Sequence, residues 1–112
     1  MNEQDQSAVQ SAEVKNLADL LQYQDSSIVS RVLLKNKGGT VTLFAFDVGE
    51  GLSEHTAPFD ALVVVTDGEA DIDIAGEGFK VRQGETIILP ANLPHALNAA
   101  TKFKMLLIMI RA

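Results

Sequence analysis

The chain is predicted to form an all-β antiparallel barrel, and three observations support this fold class. Turn-forming residues recur at intervals of about ten residues after Tyr23, as in all-β barrels and sandwiches. The runs between these turns are short and rich in valine, isoleucine and leucine. Residues 69–74 alternate strictly between charged and apolar side chains, which indicates a strand with one solvated and one buried face.

The pattern gives a definite order of elements. The predicted strands are residues 28–35, 40–48, 61–66, 69–74, 79–82, 87–89 and 102–110. The predicted turns between them are residues 36–39, 49–51, 67–68, 76–78 and 83–84, all of which contain glycine.

The segment before the strands lacks the pattern of a β-strand. Residues 1–13 are polar and aperiodic, and we expect an N-terminal arm there, followed by one barrel domain over residues 14–112. Leu17, Leu20 and Leu21 follow the i, i+3, i+4 spacing of a helix. A short helix is therefore predicted over residues 16–22.

Composition excludes several classes of function. The chain carries 15 acidic and 9 basic residues, a net charge of −6, and no cluster of lysine or arginine. Nucleic acid and anionic membrane surfaces are therefore not expected as partners. The chain has no cysteine, so disulfides, thiolate nucleophiles and cysteine-based zinc sites are excluded. With no signal-peptide pattern, the expected location is the cytoplasm.

The strands 61–66 and 105–110 are apolar on both faces, and residues 41–46 show a similar pattern. A small closed barrel requires only its inner face to be apolar. Covering the outer face calls for a second layer, which a second copy of the chain would supply. We therefore expect a homodimer.

The candidate functional residues are the only two histidines, His55 and His95. Each follows a glycine-containing bend and lies near the edge of a predicted strand. Instead of having a function, each histidine could have a purely structural role, in which it hydrogen-bonds a neighbouring strand end. The nearby Asp60 is expected to cap the start of a strand, and Met105 and Met109 to fill the core or a dimer interface.

The spacing around the histidines resembles the two sequence motifs of the cupin superfamily. In the second motif Gly84, Pro90 and His95 stand in register, and Asn92 replaces an inner glycine. In the first motif, ending at Gly68, the positions of two histidines and a glutamate are held by His55, Ala57 and Ala61. The resemblance implies a jelly-roll barrel (double-stranded β-helix) whose metal-ligand motif is incomplete.

The resemblance leaves two functions open. One is a small-molecule-binding domain in which His55 and His95 orient a ligand in an apolar pocket. The other is a metal-dependent enzyme, similar to cupin dioxygenases or isomerases. In that case a shifted register adds Asp60 as a third ligand to His55 and His95. The metal would be divalent iron, manganese, zinc or nickel, weakly held, with Asp60 or water completing its shell.

Overall fold

A computed structural model describes residues 11–111 of the chain. All strand pairings in it are antiparallel, which confirms the predicted fold class. The strands are β1 (Ile28–Asn36), β2 (Gly39–Phe46), β3 (Gly51–His55), β4 (Ala61–Ile74), β5 (Glu77–Arg82), β6 (Thr86–Leu89), β7 (His95–Asn98) and β8 (Phe103–Ile110).

The strands form one sheet that curls into two halves. The first half has the order β1-β2-β8-β4-β6, and the second half has the order β3-β7-β4-β5. Strand β4 belongs to both, because residues 61–68 pair with β8 while residues 69–74 pair with β5. The two halves face each other across the core, as in a jelly-roll barrel.

The prediction of two strands separated by a turn at residues 67–68 is wrong, because β4 is continuous over 14 residues. Its register against β8 shifts between Val65 and Asp67, which marks a bulge. Gly68 has a φ of +74°. The Asp67-Gly68 dipeptide therefore bends one strand from the first half-sheet into the second instead of reversing the chain.

Two further boundaries differ from expectation. The hairpin after β4 turns at Ala75 and Gly76, both with positive φ, and not at residues 76–78. This is the geometry of a two-residue type I′ turn, which matches strand twist. Residues 51–55, where only a turn at 49–51 and no strand was predicted, form strand β3.

The predicted helix over residues 16–22 is also wrong in extent, because only a 3-10 helix at Leu17–Asp19 forms. The side chain of Asn16 caps it by accepting a hydrogen bond from the Ala18 N–H at 3.0 Å. A helix this short gains too few hydrogen bonds to propagate. The apolar residues that suggested a helix, Leu17, Leu20 and Leu21, instead pack on the outer face of the first half-sheet. The predicted arm, residues 1–13, lies mostly outside the described residues.

The main core fills the space between the two half-sheets. Its centre is a stacked pair, Phe46 and Phe103, whose ring centroids are 4.4 Å apart and whose side chains are fully buried. Valines of β4 and Met105 of β8 surround this pair. Close packing of this kind supplies most of the favourable free energy of folding.

A second, smaller core lies on the outer face of the first half-sheet. Leu21 from the N-terminal segment covers Val29, Leu43 and Ala45, which are all buried. The chain itself thus covers part of the outer face for which a second subunit was predicted. Further along the same half-sheet, Leu34, Ile88 and Ile110 remain about 60% exposed. Within residues 11–111, no helix is long and apolar enough to cross a membrane.

Candidate functional site

The two histidines lie side by side on neighbouring strands. His55 is the last residue of β3 and His95 is the first residue of β7. The two strands are antiparallel, and their register places His55 directly opposite His95. On its other side, His95 is opposite Ile74 of β4, so β7 is held between two strands at this point.

The two imidazole rings are in direct contact. Their centroids are 4.4 Å apart, and the ring planes meet at 68° in an edge-to-face arrangement. Only 6% of His95 is exposed, whereas His55 is open to solvent. The histidine pair therefore consists of one buried ring and one solvent-accessible ring in contact with each other.

The hydrogen bonds of the two rings follow the same pattern. Nδ1 of His55 lies 2.9 Å from the carbonyl oxygen of Ser53, and Nδ1 of His95 lies 3.3 Å from that of Leu93. A carbonyl oxygen can only accept, so in each neutral ring Nδ1 must carry the proton. The lone pair is then on Nε2, which leaves two ring nitrogens able to bind a metal or a hydrogen-bond donor.

The charge of His95 is influenced mainly by burial. Burial lowers the pKa of His95 below its ordinary value, although the Leu93 carbonyl acts in the opposite direction. The neighbouring ring of His55 lowers the pKa further, because two adjacent imidazolium ions repel each other. His95 is consequently neutral at physiological pH.

The rings border a cavity of about 60 Å³ inside the barrel. A single water molecule needs roughly 10–15 Å³ of such volume, so the cavity is large enough for an ion or for one small group of a ligand. Apart from the two histidines its wall is apolar. The aliphatic and aromatic lining residues are Leu52, Ala57, Phe59, Ala61, Leu89, Leu97 and Leu107, and the others are Met105 and Met109.

Asp60 does not lie with the histidines at this cavity. Its Oδ1 accepts a hydrogen bond of 2.8 Å from the Ala91 N–H, so it ties the start of β4 to the loop before β7. This is the capping role that was one of the expectations. Within residues 11–111 no three of the histidine, aspartate and glutamate side chains are grouped closely enough to hold a metal. A divalent metal held by three such ligands therefore does not fit the described arrangement.

Met105 and Met109 were expected to be filler, and their place in the cavity wall was missed. The signal was present in the sequence, because residues 105, 107 and 109 of a strand share one face. All three line the cavity. What the sequence lacked was the pairing of β8 with β4, which places Met109 opposite Ala61.

Comparison with known proteins agrees with this architecture. Residues 42–111 match the cupin domain family. A conserved protein of unknown function from Streptococcus pyogenes has a similar structure, with a TM-score of 0.87 and 34% identity, over 93% of this chain and 91% of that one. A cupin superfamily protein from Desulfitobacterium hafniense gives a TM-score of 0.86 at 26% identity, over 93% and 95% of the two chains.

A cupin 2 conserved barrel domain protein from Leptotrichia buccalis is 45% identical, with a TM-score of 0.84. The alignment covers 87% of this chain but only 47% of that protein, so the chain spans about half its length. No curated protein sequence matches the chain. The match over most of the barrel shows that the chain belongs to the cupin family.

Proposed function

We propose that this cupin domain binds a small molecule at the mouth of the barrel, with His55 and His95 as the polar groups that orient it. The observation that carries the proposal is the contact between the two rings at the edge of an apolar cavity. Ligand sites are typically concave and apolar, with a few converging polar groups. Both features occur together here.

The protonation of the rings indicates which ligands would fit. A neutral imidazole with its proton on Nδ1 offers an acceptor at Nε2, so a ligand that donates a hydrogen bond is favoured. Among residues 11–111, no cationic side chain lines the cavity to neutralise an anion. A hydroxyl group on a small apolar body matches these conditions, whereas a carboxylate does not.

The proposal can be tested with two probes of similar shape, phenol and benzoate. Titration of metal-free protein at neutral pH, followed by the ring signals of both histidines in NMR spectra, should show binding of phenol and much weaker binding of benzoate. His55→Ala and His95→Ala should each weaken phenol binding at least tenfold. Their unfolding free energy should change by no more than about 2 kcal/mol, as for ordinary single substitutions.

Asp73→Asn, on the exposed face of β4, is the matched control and should bind phenol like the parent protein. Histidines with a purely structural role would give the opposite result, because losing a buried hydrogen bond lowers stability and leaves binding unchanged. That outcome, or equal binding of phenol by all variants, would refute the proposal.

The alternative is a metal-dependent enzyme that uses His55, Asp60 and His95. It is supported by the adjacent imidazoles, which are good ligands for iron, zinc and nickel. To join them, Asp60 would have to give up its bond from the Ala91 N–H. Metal analysis of protein purified without an affinity tag separates the two functions, since a stoichiometric divalent ion is expected only for the enzyme.

A further inference from the structure

We propose that a cleft beside Lys104 binds a small zwitterion, a molecule that carries both a carboxylate and an ammonium group, as an amino acid does. The cleft lies between the N-terminal segment and the outer face of the first half-sheet, and its wall contains one cation, Lys104, and one anion, Asp67. The other lining residues are Asn16, Leu17, Ala18, Thr66 and Gln83. The inference goes beyond the proposed function, because it concerns a different part of the molecule.

The cleft and the histidine cavity lie on opposite faces of β8. Neighbouring residues of a strand point to opposite sides of the sheet. Met105 belongs to the core and borders the histidine cavity, whereas Lys104 faces outward and contacts the N-terminal segment. A ligand in the cleft would therefore not touch the histidine pair.

Lys104 is a buried cation whose hydrogen bonds are incomplete within the described part of the chain. Only 8% of the residue is exposed. An ammonium group has three N–H donors, but Nζ of Lys104 donates one bond, to the Ala18 carbonyl oxygen, and its length of 3.4 Å is long. The Tyr23 ring, centred 5.2 Å from Nζ, adds a cation–π contact but no counter-charge. Since a buried charge is costly unless it is paired, a carboxylate is the group that best completes this site.

Asp67 supplies the second charged group of the site. It is opposite Lys104 in the pairing of β4 with β8, yet these two described residues form no ion pair with each other. The hydroxyl of Tyr23 donates a hydrogen bond to Oδ2 of Asp67, which holds the carboxylate in place. Its Oδ1 can accept a bond from an ammonium group. A zwitterion can bond to both residues, whereas a simple anion would be repelled by Asp67.

The size of the cleft suits a molecule of this kind. Its volume is about 470 Å³, and small-molecule sites typically have volumes of roughly 300–1,000 Å³. The side-chain amide of Gln83 and the hydroxyl of Thr66 can each donate and accept a hydrogen bond. The cleft therefore has room and neutral polar groups for the rest of an amino acid.

The experiment uses the isotope-labelled full chain and three probes of similar size: alanine, propionate and ethylamine. Propionate lacks the ammonium group of alanine, and ethylamine lacks its carboxylate. NMR titration at neutral pH should show binding of alanine, with shifts of the backbone amide signals of Thr66, Gln83 and Lys104. Each of the other probes should bind about tenfold more weakly or less, because one charged group of the protein is left without a partner.

Three variants identify the groups that bind the probe. Lys104→Met keeps the unbranched side chain but removes the charge, and should weaken alanine binding about tenfold or more. Asp67→Asn keeps an acceptor for the Tyr23 hydroxyl; it should weaken binding of alanine but not of propionate. Lys102→Met is the matched control, because Nζ of Lys102 lies 4.9 Å from the same Tyr23 ring but the residue is exposed and does not line the cleft. It should bind alanine as the parent does.

The inference is overturned if alanine and propionate bind equally well, if Lys104→Met binds alanine like the parent, or if Lys102→Met loses as much binding as Lys104→Met. Thermal melting verifies that each variant is folded. The comparison of the three probes on the parent protein remains decisive if a variant does not fold. Phenol should not compete with alanine, so failure of alanine to bind would overturn this inference and leave the proposed function intact.

Discussion

Tyr23 and Asp67 are 44 residues apart in sequence and are joined by a hydrogen bond of 2.5 Å from the tyrosine hydroxyl to Oδ2 of the carboxylate. The ring of Tyr23 also lies 4.9 Å from Nζ of Lys102 and 5.2 Å from Nζ of Lys104. These contacts attach the N-terminal segment to the bulge of β4 and the start of β8.

Tyr23→Phe is expected to lower the unfolding free energy by about 1 kcal/mol, since it removes one hydrogen bond at a partly exposed position. The cation–π contacts to the two lysines are retained in phenylalanine. Tyr23→Leu, which also removes those contacts, should cost more. Urea denaturation of the two variants measures the difference, and equal stability of Tyr23→Phe and the parent would contradict the assigned bond.

Tyr23 should also make stability depend on alkaline pH. Burial raises its pKa, and the hydrogen bond and negative charge of Asp67 raise it further. The folded state therefore retains the proton when the unfolded state loses it. The resulting stability is fully present below about pH 10, the ordinary pKa of tyrosine, and is lost as the pH rises toward the higher folded value.

The chain has a single tyrosine, so tyrosinate absorbance reports this residue alone. The titration midpoint of the folded protein should lie above that of the urea-unfolded chain. The parent protein should also lose more stability above pH 10 than Tyr23→Phe does, given the reference value of about 10. Identical midpoints in the folded and unfolded chains would disprove the shift.

Thr40→Val should stabilise the protein. Its Oγ1 is buried and has no hydrogen-bond partner among the described residues. Replacing an unsatisfied hydroxyl by a methyl group of the same shape removes a desolvation cost of about 1–3 kcal/mol. We expect a gain near the lower end of this range in urea denaturation.

Thr86→Val is the matched control for that substitution. The hydroxyl of Thr86 donates a hydrogen bond of 2.6 Å to the Val63 carbonyl oxygen. The same change should therefore destabilise the protein by about 1 kcal/mol. Changes of the same sign in both variants would show that β-propensity, rather than hydrogen bonding, decides the effect.

Gly68→Ala should be strongly destabilising. At φ of +74° a Cβ is already unfavourable, and here it would overlap the carbonyl oxygen of Lys102 in the backbone. We expect a loss of at least about 2 kcal/mol. Gly49 has a φ of +86° with open space around it, so Gly49→Ala should cost only about 1 kcal/mol. Thermal melting of the two variants separates the cost of steric overlap, present only in Gly68→Ala, from the cost of positive φ, present in both. Equal losses of stability in the two variants would show that the overlap has no effect.

The homodimer predicted from the sequence remains to be tested on the outer face of the first half-sheet. Ile88, Leu62 and Ile108 form a row across three paired strands there. Ile88 is 59% exposed, so Ile88→Glu should not disturb folding. It should weaken dimerisation at least tenfold in sedimentation experiments. Phe79→Glu, on the other half-sheet, is the control and should leave dimerisation unchanged. A parent protein that is monomeric at micromolar concentration would refute the prediction.

The sequence predicted most of the strands because their signals are local. Alternation and turn residues placed β1, β2 and β8 to within about two residues, the usual uncertainty of such boundaries. The continuity of β4 was not predictable in this way. Asp67-Gly68 is a common turn dipeptide, and only the pairing of β4 with β8 and β5 shows that it forms a bulge.

For the candidate site the sequence supplied the two histidines and their placement near strand ends. The sequence could not decide whether Asp60 lies beside the histidines, because a carboxylate that is close to a histidine in sequence can bond to a group from another part of the chain. The Ala91 N–H that engages Asp60 is 31 residues away. The part of Met109 in the cavity wall likewise depends on a contact between distant strands.

The continuity of β4 has a consequence for how the molecule opens. Its first part is hydrogen-bonded to β8 and β6, and its second part to β7 and β5. Neither half-sheet can separate without breaking bonds to this one strand. Amide hydrogens on both sides of the bulge should therefore exchange with solvent at similar, slow rates, governed by global unfolding. On this expectation, the two half-sheets that share β4 unfold as one cooperative unit.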